Sequence, residues 1–211
     1  NINVLCKQCQ HYASTMKTYH HGNLKKELIK CACKMCERDG YTKLSIRSLA
    51  KESKVSQTAP YRHFKTKEDL YAAIIKEGFE KLNKEMTSIK IKGAKKYLIS
   101  CGKTYIDFGL KNANTYDLMF GTAVGNYADY TDLSESANKL FQFLLSSFKK
   151  LSDGDDEIIA FKCITLWSMV HGLVGIIRKV NIAGDGNKDG PMPFANQISK
   201  NLDFHLDKVL T

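Results

Sequence analysis

One stretch, LSIRSLAKESKVSQTAPYRHF at positions 44–64, constrains the fold more than any other part of the chain. Ser45 is a favourable N-cap for a first helix, which should end near Ser53-Lys54. Its apolar residues fall at i, i+3 and i+4, as one buried helix face requires: Ile46, Leu49 and Ala50. The pattern predicts the first of two short helices on either side of a tight turn.

The second helix of this motif is expected to start at Gln57, with Ser56 as its cap and Val55 as an apolar plug between the helices. Its exposed side would carry residues that can hydrogen-bond base edges and phosphates: Gln57, Thr58, Tyr61 and Arg62. A purely structural helical hairpin would more often have Glu and Lys there. The stretch therefore predicts an element that enters the major groove of DNA.

The distribution of charge supports this prediction. The chain of 211 residues has a formal net charge of +10. Residues 16–85 hold 16 Lys and Arg against 9 Asp and Glu, whereas residues 86–211 hold 15 against 13. A basic first third beside a nearly neutral remainder is typical of a nucleic-acid-binding domain joined to a domain with another role.

The same stretch, with its flanks, also has a family resemblance over roughly residues 19–80. The residues that carry it are the Gly40 turn, Leu44-Ser45-Ile46-Arg47, Leu49-Ala50, Val55-Ser56, Tyr61-Arg62-His63-Phe64 and Lys67-Glu68. On these residues the chain resembles the DNA-binding domain of TetR-type transcriptional regulators. The resemblance implies a three-helix helix-turn-helix domain that binds a double-stranded, pseudo-palindromic DNA operator as a homodimer.

Two groups of side chains are expected to contact this DNA. Gln57 could pair with adenine, and the methyl group of Thr58 could meet a thymine methyl. Tyr61 and His63 resemble family positions that contact phosphates, as does Lys67 at the start of the next helix. All candidate DNA contacts are Thr42, Ser45, Arg47, Gln57, Thr58, Ala59, Pro60, Tyr61, Arg62, His63 and Lys67.

Three of these residues have alternative interpretations. Pro60 falls near the helix start, where its missing N–H costs little, and its ring could itself touch a base or sugar. Arg47 either reaches DNA or pairs with a nearby carboxylate. His63 either contacts phosphate or lies at the edge of the core beside Phe64.

The rest of the chain shows helical periodicity without any run of period-two alternation, so the predicted fold class is all-α. A first helix should span Leu24 to Arg38, and Thr66 should open a long helix from Lys67 to about Ile89. Further helices are expected near 94–111, 114–121, 134–151, 155–181 and 194–210. The expected domains are a disordered extension (1–15), the helix-turn-helix domain (16–66), a connecting helix (67–92) and a ligand-binding and dimerisation domain (93–211).

The second domain resembles one class of TetR-type C-terminal domain. The resemblance rests on Tyr105-Ile106-Asp107-Phe108, Tyr116 to Gly121, and Trp167-Ser-Met-Val-His171-Gly172, which matches a W-x-x-x-H-G signature. It implies that the last two predicted helices pair with their copies in a dimer, and that a pocket receives a small ligand. Apolar or aromatic chemistry is expected for that ligand, with the candidate lining residues Tyr105, Phe108, Met119, Phe120, Phe143, Trp167 and His171.

Cysteine and histidine residues raise the possibility of other functions. Cys6-x-x-Cys9 and Cys33-x-x-Cys36 have spacings seen at metal sites, which leaves a thiol- or metal-responsive regulator as the alternative. Cys163 and His171 lie two helical turns apart, about 12 Å, too far for a catalytic couple. No enzyme activity, cofactor or bound metal is therefore expected.

The apolar run at residues 158–177 is long enough to raise the possibility of a membrane span. Lys162 and His171 interrupt it, so a core or dimer helix is the preferred interpretation. Without a secretory signal in the sequence, the seven cysteines favour a cytoplasmic protein with reduced thiols.

Overall fold

The computed structural model describes residues 24–151, 154–183, 190 and 192–210, and this part of the chain is helical with no strand. Three short 3₁₀ turns occur at Tyr41–Lys43, Pro60–Arg62 and Tyr127–Asp129. The α-helices are α1 (Leu24–Asp39), α2 (Ile46–Glu52), α3 (Lys67–Thr87), α4 (Ala94–Lys111), α5 (Ala113–Phe120), α6 (Thr131–Lys149), α7 (Asp156–Ala183), α8 (Met192–Lys200) and α9 (Leu202–Val209). The all-α prediction is confirmed; the expected extension 1–15 lies outside the described residues.

Two capping boxes fix the helix starts that the sequence predicted. The Ser45 hydroxyl accepts a hydrogen bond from the Ser48 amide, and the Ser48 hydroxyl accepts one from the Ser45 amide. Thr66 and Asp69 form the same reciprocal pair at the start of α3. Each box satisfies amides that the first helical turn leaves without an intrahelical partner.

The tight turn after α2 depends on Lys54, which has a φ of 53° in the left-handed region. The Val55 amide donates back to the Ala50 carbonyl at 3.1 Å, which closes the helix end in the manner of a Schellman motif. Val55 is half-buried and packs against the core, as expected of a plug between the two halves of the motif.

The prediction of a second α-helix from Gln57 is wrong. Residues 57–59 form a turn, and only Pro60–Arg62 are helical, as a single 3₁₀ turn. Pro60 has no amide hydrogen, and the segment is closed mainly by short i to i−3 bonds, such as the His63 amide to the Pro60 carbonyl at 2.9 Å. Ser56 does not cap it; the Ser56 hydroxyl instead lies 3.3 Å from that of Thr58.

The C-terminal helices fall close to their predicted limits, except for the last one. The expected helix 194–210 is divided into α8 and α9 at Asn201, whose φ and ψ are −125° and 39°. The Asn201 side-chain amide donates to the Gln197 carbonyl at 3.1 Å. Asn side chains compete in this way with the backbone and weaken a helix interior, so the break occurs there.

The long helix α3 joins the two halves of the fold. It packs against α1 on the N-terminal side and against α4, α5 and α6 on the C-terminal side. Leu70, Ile74, Leu82 and Met86 are fully buried along it. One helix therefore carries Lys67 at its N-terminal end and Phe79 in the middle of the C-terminal helices.

Candidate DNA-binding surface and ligand cavity

The segment after the tight turn presents polar side chains to solvent above an apolar base. Gln57, Thr58 and Arg62 are exposed, and Tyr61 is 44 % exposed. Pro60 is buried below them, so its ring packs into the domain and does not face outward as the sequence had suggested. The short segment therefore offers four hydrogen-bonding side chains to solvent.

Lys67 and Thr42 meet at the edge of this surface. The Lys67 ammonium donates to the Thr42 carbonyl at 3.1 Å and lies 5.2 Å from the centre of the Tyr71 ring. The Tyr71 hydroxyl donates to the Tyr41 carbonyl at 2.7 Å, which ties α3 to the turn before α2. Lys67 remains exposed in this position.

The remaining candidate residues differ in their accessibility. Arg47 is exposed and, among the residues that the structure describes, forms no ion pair. Ser45, Ala59 and His63 are half-buried. The Ser45 hydroxyl takes part in the capping box of α2. The rings of His63 and Phe64 meet edge-on, with their centres 6.4 Å apart.

A cavity of about 270 Å³ lies between α3, α4, α5, α6 and α7. Four of the seven candidate ligand residues line it: Tyr105, Met119, Phe120 and Trp167. The other three do not line it. Phe108 is buried, with the Lys81 ammonium over its ring, and Phe143 packs edge-on against Tyr97. His171 contacts the hydroxyl of the lining residue Tyr105.

Six lining residues were not predicted: Phe79, Tyr127, Ala137, Leu140, Phe141 and Leu144. The last four have i, i+3, i+4 and i+7 spacing on α6, a signal in the sequence that could have identified them. Phe79 and Tyr127 carry no such signal, because they come from the connecting helix and from a loop.

Two lining residues, Tyr105 and Trp167, belong to a polar network of four side chains that extends away from the cavity. The Trp167 indole donates to the Tyr105 hydroxyl at 3.0 Å, and that hydroxyl lies 3.2 Å from the hydroxyl of Tyr116. Nδ1 of His171 is 2.6 Å from the Tyr116 oxygen and 3.1 Å from the Tyr105 oxygen. Trp167 and His171 together therefore hold Tyr105 of α4 and Tyr116 of α5.

Burial keeps this network uncharged. It lowers the pKa of His171, raises the pKa of Tyr105 to about 12, and raises that of Tyr116 further. Loss of solvation disfavours the charged form of each group, so neutral imidazole and neutral phenols are the stable species.

Four of the five thiols in the described part of the chain are poorly suited to redox or metal chemistry. Burial raises the pKa of Cys33 and Cys101 to about 12, and that of Cys36 and Cys163 to about 11. The reactive thiolate is therefore disfavoured. The described part of the chain contains no group of three or more His, Cys, Asp or Glu that could hold a metal; Cys6 and Cys9 lie outside it.

Glu37 connects the two halves of the molecule directly. From the last turn of α1, its carboxylate accepts hydrogen bonds from the amides of Asn114 and Thr115, at 3.2 and 3.1 Å, and from the Thr115 hydroxyl at 2.9 Å. The Asn114 side chain donates to the Glu37 carbonyl at 2.8 Å. Glu37 thus caps α5, the helix that carries Tyr116, a position that favours a negative charge.

One side of α7 is apolar and exposed. Phe161 is 73 % and Ile182 is 84 % exposed, and Ile164 and Ile176 lie between them. Gly172 and Gly175 are on the same side with open space around their Cα atoms. By length and composition alone, Asp156–Ile182 could also cross a membrane, with a mean hydropathy of 1.6; within the described residues it is the one helix of that kind.

Both halves of the chain match known families. Residues 28–74 match the bacterial regulatory proteins of the tetR family, and residues 98–185 match a tetracyclin repressor-like C-terminal domain. Together the two matches cover more than half of the chain. The chain belongs to the TetR family of transcriptional regulators, which are DNA-binding proteins rather than enzymes, and its fold implies DNA binding and dimerisation.

Solved structures agree on the fold. A protein of unknown function from Rhodococcus sp. RHA1 is 22 % identical, with a TM-score of 0.68 over 90 % of this chain and 99 % of the other. A TetR variant from Acinetobacter baumannii AYE in complex with minocycline is 17 % identical (TM-score 0.58; 88 % and 93 % covered). FadR from Bacillus subtilis in complex with stearoyl-CoA is 14 % identical (TM-score 0.60; 87 % and 98 %). No curated protein sequence shows significant similarity to the chain.

Proposed function

We propose that the protein is a ligand-responsive repressor that binds a pseudo-palindromic operator as a homodimer. The observation that carries this proposal is that α3 contributes both Lys67 to the DNA-binding surface and Phe79 to the cavity. At 1.5 Å per residue, these two positions are about 18 Å apart on one rigid rod. A ligand that shifts α3 at the cavity would therefore move the DNA-binding surface.

In this proposal two sets of side chains divide the work of binding DNA. Gln57 and Thr58, exposed in the segment after the turn, read base edges. Tyr61, His63 and Lys67 hold phosphates, and Thr42, Ser45, Arg47, Ala59 and Arg62 position the segment on the DNA backbone. The buried Pro60 anchors the segment in the domain and does not itself contact DNA. The short 3₁₀ turn limits base contacts to a few pairs, which is why two copies are needed for specificity.

The exposed apolar side of α7 supports a dimer in which this helix and the α8–α9 region pair with their copies. Phe161 and Ile164 at one end and Ile182 at the other provide area to bury, and Gly172 and Gly175 let two helices approach closely. A patch of this kind on a DNA-binding regulator is better explained by a partner subunit than by a membrane. The proposed site of action is the cytoplasm.

The C-terminal domain, residues 93–211, is proposed to belong to the W-x-x-x-H-G class, because Trp167 and His171 both bond the tyrosines beside the cavity. Residues 16–66 form the DNA-binding domain in this scheme, and residues 67–92 connect the two. A small apolar or aromatic ligand in the cavity would favour a conformation with altered spacing between the two DNA-binding surfaces. DNA would then be released by a shift in population.

A direct test uses a fluorescently labelled duplex that the protein has selected from random DNA. Apolar and aromatic compounds are screened for release of this duplex, followed by fluorescence anisotropy, and hits are repeated on Ala137→Phe, which fills the cavity. Release by a compound from the wild-type protein, lost in the filled variant, is the expected result. A screen in which release persists in the filled variant would refute the cavity as the sensor.

A further inference from the structure

The wall of the cavity offers hydrogen-bond acceptors but no free donor. Three lining side chains carry an N–H or O–H group: Tyr105, Tyr127 and Trp167. The Trp167 N–H is already donated to Tyr105, and the Tyr127 hydroxyl donates to the Met119 carbonyl. What remains is the hydrogen on Tyr105.

His171 and Tyr116 complete the pairing of that hydrogen within the network. With the His171 hydrogen assigned to Nε2, Nδ1 is an acceptor that faces both phenols. The Tyr116 hydroxyl donates to the Tyr105 oxygen at 3.2 Å, so the Tyr105 hydroxyl donates to Nδ1 at 3.1 Å. Both hydrogens are therefore consumed inside the network.

The lining of the cavity is also unsuited to an anionic ligand, because its described residues carry no charged side chain. The ten residues that line the cavity in the described part of the chain include no Lys, Arg, Asp or Glu. Arg178, on the same helix as Trp167, is held by Asp117 through two hydrogen bonds of 2.5 and 2.9 Å. An anion would therefore lose its hydration in this cavity without gaining a cation or a donor, which is costly.

Resting on the proposed role of the cavity, we infer that its ligand is an uncharged, largely apolar molecule whose polar group is a hydrogen-bond donor, such as a hydroxyl or an N–H. Carboxylates, sulfonates and phosphates are excluded. The Tyr105 oxygen already accepts hydrogen bonds from Trp167 and Tyr116, so the acceptor for the donor group is the hydroxyl oxygen of Tyr127, whose own hydrogen goes to the Met119 carbonyl. The volume of about 270 Å³ is just below the roughly 300–1,000 Å³ that is usual for small-molecule sites, so the ligand should be small.

A matched pair of fluorescent probes tests this inference. N-phenyl-1-naphthylamine is neutral and has one N–H, and 8-anilino-1-naphthalenesulfonate adds an anionic group to the same skeleton. Trp167 is the single tryptophan of the chain and lines the cavity, so energy transfer from it reports binding there. The neutral amine should bind about tenfold or more tightly than the sulfonate, and Ala137→Phe or Leu144→Phe should abolish its signal.

Tyr127→Phe tests the hydrogen-bond acceptor separately from apolar burial, because it removes the acceptor oxygen and keeps the ring in the lining. The variant should weaken the amine about three- to tenfold. It should leave the affinity of phenyl naphthyl ether, which lacks the donor and is measured by competition, nearly unchanged. Equal binding of sulfonate and amine, both lost in the filled variants, would overturn the inference but keep the cavity as a ligand site. If neither probe gives a signal that the filled variants abolish, the proposed role of the cavity fails, and the inference fails with it.

Discussion

Glu37 on α1 caps the N-terminus of α5 through two hydrogen bonds to Thr115, from its amide at 3.1 Å and its hydroxyl at 2.9 Å. This contact joins the DNA-binding half of the chain to the helix that carries Tyr116 and Met119. It is a second link between the halves, separate from α3. Movement of α5 by a ligand would therefore act directly on α1.

Replacing Glu37 with Gln should lower the free energy of unfolding by about 1–3 kcal/mol, because hydrogen bonds to a charged acceptor are lost and the new amide N–H faces backbone donors. Urea unfolding measures the change. Glu27→Gln on the same helix is the matched control: Glu27 bonds only Lys30 at the surface, so a change of about 0.5 kcal/mol or less is expected. Equal effects of the two variants would refute the role of Glu37 as a cap.

His171 should make the protein sensitive to acid. Burial lowers its pKa in the folded state relative to the unfolded chain, so the neutral form stabilises the fold. This contribution is present above about pH 6.5, the value of the free side chain, and is lost as the pH falls through the lower folded pKa. Melting temperatures from pH 7.5 to 5 should therefore fall more steeply for the wild-type protein than for His171→Gln. Parallel profiles would contradict the prediction.

The sequence alone was sufficient where local chemistry decides the structure. The hydroxyls of Ser45 and Thr66 predicted the starts of α2 and α3, and the positions of the C-terminal helices followed from periodicity and glycine-rich loops. The same local reasoning failed at residues 57–62, where a short segment anchored by Pro60 closes as a 3₁₀ turn.

Contacts between distant residues could not be predicted in this way. Glu37 lies 78 positions from Thr115, and nothing in its own neighbourhood indicates that it caps α5. At Gly109, a Cβ atom would lie 2.7 Å from a methyl group of Val174, so close packing of α4 on α7 requires glycine there. Both features arise from packing of helices that are far apart in the chain. The aromatic residues of the cavity were predicted in part because bulky apolar side chains were already concentrated there.

The exposed side of α7 should hold the dimer together. Phe161→Asp places a charge where the proposed partner helix packs, and sedimentation should show a monomer that no longer binds operator DNA. Thr165→Ser on the same side of α7 should remain a dimer, because it keeps a small polar residue. If Phe161→Asp stays dimeric, the interface lies elsewhere.

Lys67 and Gln57 should have different effects on DNA binding. Lys67→Ala should weaken binding to all sequences and reduce the slope of log affinity against log salt by about one. Gln57→Ala should relax preference at one base pair, at a cost of about 1–3 kcal/mol for the preferred base. Lys139→Ala, on α6, serves as the charge-matched control and should change neither property. A sequence-specific loss in Lys67→Ala would contradict its assignment to phosphate.

Selection of bound DNA from a random pool shows directly whether the protein reads DNA as a dimer. The wild-type protein should enrich two inverted copies of one short half-site, with centres about one helical turn, roughly 34–36 Å, or a multiple of it apart. In the same selection, Gln57→Ala should lose information at one symmetric pair of positions. Failure to enrich any sequence, or enrichment of a single unpaired site, would contradict a dimeric regulator that reads DNA through residues 57–62.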